Sequence, residues 1–330
     1  MATLVLTVTE TLRYRGKIGQ WSWALHRISG LGTLLFLFLH VIDTSWAVFY
    51  PDLYKEAIAV YQSPLFTIGE FGLVACVIYH ALNGFRIVLF DYRPQWWHRQ
   101  AYAAKVVLVA TLVLLIPTWA IMFIGTMNFY QTAGLDLKLP LLISTQARFA
   151  LGIVGILAAG IVVSVIYSLI PGVNASKQGK ASRFDRFMWV FMRVSGVIII
   201  PLVFGHLAMI HLIQGVFDIT AHNIPVGTTL GPNISGTAPE FVALRWNTMF
   251  AGVFIWRLYD ASLGALAIVH GFNGLRYVVN DYVHDRIINR GMNIALFCTA
   301  LGLIIVATFA VISTVPASTF QVITQPALVH

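Results

Sequence analysis

Seven apolar runs dominate the sequence, at about residues 24–49, 66–92, 103–127, 149–170, 187–217, 257–280 and 292–313. Each is about 20 residues or longer, the length an α-helix needs to cross about 30 Å of hydrocarbon. In lipid every backbone polar group must be satisfied internally, and continuous apolar runs of this length do that as helices. Composition agrees: of 330 residues, 58% are hydrophobic and 10% charged, with a mean hydropathy of +0.80. The expected fold is an all-α polytopic membrane bundle of about seven transmembrane helices.

The basic residues set the expected orientation. Under alternate crossing, segments near 13–27, 86–105, 177–193 and 276–290 fall on one side, while the opposite loops carry Lys55, Lys138, Arg148 and Arg245. The excess marks the cytoplasmic side, which puts the amino end inside and the carboxyl end outside. The net charge of +8 is then a topology signal. No basic stripe with interleaved aromatics suggests nucleic acid. Cys76 and Cys298 lie inside apolar runs without a CxxC pattern, so this chain by itself offers no iron-sulfur or structural zinc site. Its first residues lack a basic stretch ahead of an apolar one and read as no secretory signal.

Within the runs one motif occurs twice. His80-Ala-Leu-Asn-Gly-Phe-Arg86 continues to Asp91-Tyr92, and His270-Gly-Phe-Asn-Gly-Leu-Arg276 continues to Asp281-Tyr282. Each histidine is followed by Asn at +3, Gly at +4, Arg at +6 and Asp-Tyr at +11 and +12. The match extends upstream: His26-Arg-Ile-Ser-Gly30 parallels Met192-Arg-Val-Ser-Gly196, and ten residues beyond each glycine stand His40 and His206. The chain therefore reads as two parallel three-helix repeats, 1–128 and 187–330. A linker at 129–186 supplies an extra transmembrane helix, because three crossings leave the chain on the wrong side to start a second parallel copy.

Four histidines at matched positions in apolar helices are costly unless something binds them. One alone would ordinarily hydrogen-bond a neighbouring carbonyl or serine. Two matched sets suit bis-histidine haem ligation, imidazoles approaching a flat macrocycle from facing helices. Gly84 and Gly274 would make room for it. Zinc fits less well, since no two of these histidines have i, i+4 spacing with a carboxylate nearby. Helical rise puts His40 about 20 Å from Arg27 and His80 about 16 Å from Asp91, both near mid-membrane. Pairing across the halves and pairing within each half are equally compatible with the repeat. Arg86 and Arg276 could meet haem propionates or mark the positive-inside edge.

These residues resemble the membrane-anchor cytochrome b subunits of succinate:quinone oxidoreductase (complex II) and fumarate reductase. Leu25-His-Arg-Ile-Ser-Gly30 with His80 to Asp91-Tyr92 looks like the C subunit, and Arg193-Val-Ser-Gly196 with His270 to Asp281-Tyr282 looks like the D subunit. The whole is similar to a fusion of the two. The resemblance implies haem b ligation by His80 and His270, with His40 and His206 in the positions of a second haem's ligands. Single-haem members are usually two chains and di-haem members one chain of five helices, so seven helices with four histidines is a hybrid. Quinone binding in the two-chain members maps onto Arg27 and Tyr282, with Asp281 and His26 beside them. The family serine falls where Trp23 stands here, and Ser22 is adjacent.

The resemblance implies a membrane anchor of succinate dehydrogenase that passes electrons from partner iron-sulfur clusters to a membrane quinone. FAD and those clusters would belong to the flavoprotein and iron-sulfur subunits, so this chain alone would not oxidise succinate. The implied location is a bacterial or archaeal cytoplasmic membrane, and a higher oligomer is compatible with the chain. Two other readings stay open: another quinone-linked cytochrome b such as a fumarate reductase anchor, and a parallel-repeat transporter using the histidines as an ion pathway.

Overall fold

In the computed structural model, the described residues are 16–62, 64–132, 182–214 and 225–313, with positions 162, 219 and 315. The apolar run expected at 149–170, and the linker helix it implies, lie outside them apart from Val162.

Some of the helices begin where polar side chains satisfy free backbone amides. Helix α1 (Ile18–Phe49) starts where Gln20 Oε1 accepts the Lys17 N–H at 2.9 Å. It is followed by α2 (Pro51–Tyr61) and α3 (Pro64–Tyr92). The stretch 51–61, read from sequence as a loop, is thus a short helix with Pro51 at its first turn, where proline needs no hydrogen-bond partner. A 3-10 turn (Pro94–Arg99) leads into α4 (Gln100–Thr132), which carries Pro117. Helix α5 (Arg183–Leu207) opens on a reciprocal capping box between Ser182 and Asp185 and runs into a π-helical turn at Ala208–Ile213.

Two short strands, β1 (Val226–Thr228) and β2 (Gly231–Asn233), pair antiparallel before α6 (Ala238–Asn247). Strands β3 (Met249–Phe250) and β4 (Val253–Phe254) then form a hairpin. Its turn has positive φ at Ala251 and Gly252, the geometry of a two-residue primed turn. Helix α7 (Ile255–Tyr282) follows, and α8 (Arg286–Ile312) is capped by Asp285, whose Oδ1 accepts from Ile287 and Ile288 N–H.

Among the described residues, five helices are long and apolar enough to cross a membrane: α1, α3, α4, α5 with its π turn, and α8. Helix α7 has the same length but carries Arg257, Asp260, His270, Asn273, Arg276 and Asp281. It packs against α1, α5 and α8, so these polar groups, apart from the half-exposed Asp281 at its end, meet protein rather than lipid. Helix α1 is the hub of the first half, in contact with α3 and α4 as well as α7 and α8. Outward faces are apolar, as at Val109, Val113 and Ile116 of α4. The chain is an all-α integral membrane bundle.

At one end α6 closes over the bundle. Nearly all of this helix is buried, and Phe241, Val242 and Trp246 join Ala47, Tyr54, Ala310 and Val311 in one cluster. A second core, Leu34, Ile268, Phe272 and Leu303, ties α1, α7 and α8 together nearer mid-bundle.

Candidate functional site: two histidine pairs and a guanidinium–carboxylate end

The four expected histidines meet across the two halves. The His80 and His270 ring centres lie 6.4 Å apart with planes at 90°. His40 and His206 lie 6.3 Å apart at 77°. The sequence leaves within-half pairing open; in the structure His40 and His80 each face a histidine of the other half. The fold also separates the pairs in depth: His80 stacks on His26, centres 4.0 Å apart and nearly coplanar, and His26 and His40 are 14 residues apart along α1, about 21 Å at 1.5 Å per residue. Counting inward from Arg27 and Asp91 had put both near mid-membrane.

Each ring has an oxygen near Nδ1. His80 Nδ1 is 3.0 Å from the His26 carbonyl and His270 Nδ1 is 2.9 Å from Ser195 Oγ. His40 Nδ1 is 3.4 Å from Thr44 Oγ1 and 3.8 Å from Asp43 Oδ1. His206 Nδ1 is 3.3 Å from Asp260 Oδ1, at ion-pair distance but out of hydrogen-bond alignment. In all four, Nε2 is the nitrogen left to ligate. Two imidazoles sharing one ion, at about 2 Å per metal–nitrogen bond and about 1.1 Å from nitrogen to ring centre, place their centres about 6 Å apart. Both pairs match that spacing. Among the described residues no group of three or more His, Cys, Asp or Glu could hold a metal ion; what these residues offer is two facing imidazoles, a donor set that fits a haem iron.

The glycines that face the His80 and His270 rings are Gly30 and Gly196. A Cβ on Gly30 would stand 2.7 Å from His80 Cε1, and one on Gly196 3.3 Å from His270 Cε1. Gly84 and Gly274 instead face His26 and Met192. A histidine leans across to the opposing helix, so the glycine that admits it lies there and not one turn along its own helix.

At the Asp-Tyr end, the two halves exchange ion pairs. Arg27 Nη2 donates to Asp281 Oδ2, while Arg193 Nε and Nη2 both donate to Asp91 Oδ2, at 3.0 and 2.8 Å. Each arginine lies over a tryptophan, Arg27 over Trp23 at 4.0 Å and Arg193 over Trp189 at 3.8 Å. The two differ in what is left over. Arg193 also donates Nη1 to the Trp189 carbonyl at 3.2 Å, but Arg27 Nη1 is buried without a partner, as is His26 Nδ1. Asp281 is half exposed, against 17% for Asp91, and Tyr282 is exposed.

The other expected residues have settled contacts. Ser22 is buried, its hydroxyl donating to Asn83 Oδ1 at 2.8 Å in the α1–α3 interface. Arg276 donates Nη1 and Nη2 to Asp185 Oδ1 at 3.0 and 2.9 Å. Arg86 is buried, its Nη1 3.4 Å from the Gln100 carbonyl and its Nε unpartnered. Sequence reasoning missed Asp43 and Asp260. Asp43 stands three residues after His40, one helical turn. Asp260 stands ten before His270, as Glu70 stands ten before His80, so the repeat carried the signal. Tyr61 donates to Asp43 Oδ2 at 2.6 Å, and burial together with that carboxylate pushes the phenol's pKa up, which keeps it a donor.

Residues 8–118 match the family described as "Succinate dehydrogenase/Fumarate reductase transmembrane subunit". The chain is 36% identical over 136 residues to the succinate dehydrogenase 2 membrane subunit SdhC of Mycobacterium tuberculosis, covering 40% of this chain and all of that protein. It is 26% identical over 104 residues to the succinate dehydrogenase hydrophobic membrane anchor subunit of Halobacterium salinarum, covering 31% of this chain and 80% of that one. The chain belongs to the succinate dehydrogenase/fumarate reductase family of transmembrane subunits.

Proposed function

We propose that this chain is the haem b-carrying membrane subunit through which succinate dehydrogenase delivers electrons to a quinone, with the C-like and D-like halves fused in one polypeptide. The observation that carries the reading is the cross-half meeting of all four repeated histidines at 6.4 and 6.3 Å, each Nδ1 facing an oxygen. His80 and His270 would hold one haem b, His40 and His206 the second. Bound there, haem supplies one-electron storage between the partner clusters and the quinone. Arg86, buried with an unpartnered Nε, is better placed than Arg276 to receive a propionate, because Arg276 is already paired with Asp185.

The quinone headgroup belongs at the Asp-Tyr end. There Arg27 has a free buried donor, Asp281 holds its guanidinium in place, and Tyr282 is open to an incoming molecule. A quinone gaining electrons develops negative charge on its oxygens, which a guanidinium and a phenol stabilise. Asp281 and Tyr282, at the surface, can pass protons to those oxygens. His26, stacked on His80 and beside Arg27, lies between the first pair and this end. Ser22 is occupied by α1–α3 packing and stands apart. FAD and the iron-sulfur clusters lie in partner flavoprotein and iron-sulfur subunits that dock on this face, which is cytoplasmic.

The test is the visible spectrum and haem content of the purified complex. Two b-type haems per chain are expected, one lost in His80→Ala or His270→Ala and the other in His40→Ala or His206→Ala. A complex without a haem Soret band would sink the cytochrome reading. A fumarate reductase anchor shares every feature above, and the direction of the partner's reaction distinguishes the two.

A further inference from the structure

The two histidine pairs differ in what stands behind them. In the first pair both Nδ1 atoms face neutral oxygens, the His26 carbonyl and the Ser195 hydroxyl. In the second both stand before carboxylates. Asp43 Oδ1 is 3.8 Å from His40 Nδ1, and the Thr44 hydroxyl bridges them, 3.4 Å from Nδ1 and donating to Asp43 Oδ1 at 3.3 Å. Asp260 Oδ1 is 3.3 Å from His206 Nδ1.

These carboxylates are built into the fold. Asp43 is 6% exposed and receives the Tyr61 hydroxyl at 2.6 Å. Asp260 receives Arg245 Nε and Nη2 at 3.0 and 2.7 Å and Trp246 Nε1 at 3.0 Å. Arg245 is itself held by Gln214 Oε1 at 2.5 Å and lies over Trp256. The π turn at 208–213 ends at Gln214, and the cap helix α6 brings Arg245 and Trp246, so the whole capped end converges on Asp260.

A carboxylate behind Nδ1–H draws the proton toward itself and makes Nε2 the stronger donor, which favours the higher oxidation state of a bound metal. We propose that Asp43 and Asp260 are positioning residues of the second pair, whose charge lowers the reduction potential of the haem held by His40 and His206. The inference rests on the two-haem reading above. Within it the carboxylates are unequal: Arg245 neutralises much of Asp260, whereas Asp43 is held by hydroxyl donors and carries the larger share.

The experiment is potentiometry of the assembled wild-type complex and variants, read optically at the haem bands. Two midpoints are expected in the wild type, that of the second pair assigned by its absence in His40→Ala. Asp43→Asn should raise that midpoint so that the reduced-to-oxidised ratio at the wild-type value increases about tenfold, about 59 mV for a one-electron couple. The other midpoint should stay in place, and Asp43→Glu should return that of the second pair to near its original value. An unchanged second-pair midpoint in Asp43→Asn, both haems retained, overturns the proposal. If Asp43→Asn loses the second haem, Asp43→Glu decides: retention at the wild-type midpoint supports a carboxylate that positions His40, and loss again overturns it. The paired change Arg245→Met with Asp260→Asn avoids a buried unpaired charge and should produce a smaller shift of the same sign; no shift removes Asp260 from the proposal. A wild-type complex with a single haem refutes the two-haem reading itself, before any variant is made.

Discussion

At the scale of single residues, the site is a set of close fits. Gly30 is a sharp one: an alanine there would press within 2.7 Å of His80, so the ring would have to turn aside. Gly30→Ala is expected to lose the haem proposed at His80 and His270, whereas Gly32→Ala, whose Cβ would meet only Cys76 Sγ at 3.4 Å, should keep it; haem content of the two purified variants checks this. Arg27 makes a separate prediction. Removing it takes away the unpartnered donor without touching any of the four histidines, so Arg27→Ala should lower succinate-driven quinone reduction by about a hundredfold to a thousandfold, the cost of one charge-stabilising group, with the haem spectrum unchanged. Unaltered quinone kinetics would count against the site.

At the scale of elements, the exchanged ion pairs Arg27–Asp281 and Arg193–Asp91 join α1 to α7 and α5 to α3, so each half is fastened to the other at the end where quinone is proposed to bind. The second pair is the closed version of the first, every donor group of Arg193 engaged. Asp91→Ala should therefore cost stability, about 1.5–3 kcal/mol for lost hydrogen bonds to a charged group, with little effect on quinone turnover; thermal melting of the detergent-solubilised complex measures it. At the capped end, Arg245→Ala would leave Asp260 buried and unpaired and should cost more, about 3–5 kcal/mol. The same melting assay ranks the two, and an Arg245→Ala variant as stable as wild type would show that α6 does not clamp α7.

For the whole molecule, orientation across the membrane is the property to test. Positions in Arg93–Arg99 and the β3–β4 hairpin belong to opposite ends of the bundle in the proposed topology, the first facing the cytoplasm. With Cys76 and Cys298 replaced by alanine, a single cysteine at Gln95 should react with an impermeant thiol reagent only in inside-out vesicles, and one at Ala251 only in right-side-out vesicles. Labelling of both from one side would refute the topology.

Much of this was written in the sequence. Apolar runs specify membrane helices because lipid forbids other open arrangements, and the doubled His-Asn-Gly-Arg-Asp-Tyr spacing with its upstream match singled out the four histidines and the Asp-Tyr ends, while Arg27 came from the resemblance to the complex II anchors. Helix α7 shows where run-reading weakens: its polar residues lower its hydropathy, yet they are tolerated because α1, α5 and α8 surround it. Which histidine faces which, which glycine admits each ring, and which arginine keeps a free donor were left to the tertiary structure. Helical periodicity fixes a residue's place along and around its own helix. Contacts between helices depend on crossing and depth, and here those put His80 beside His26, sent Arg27 and Arg193 across to the opposite halves, and brought Asp260 from a different helix to stand behind His206.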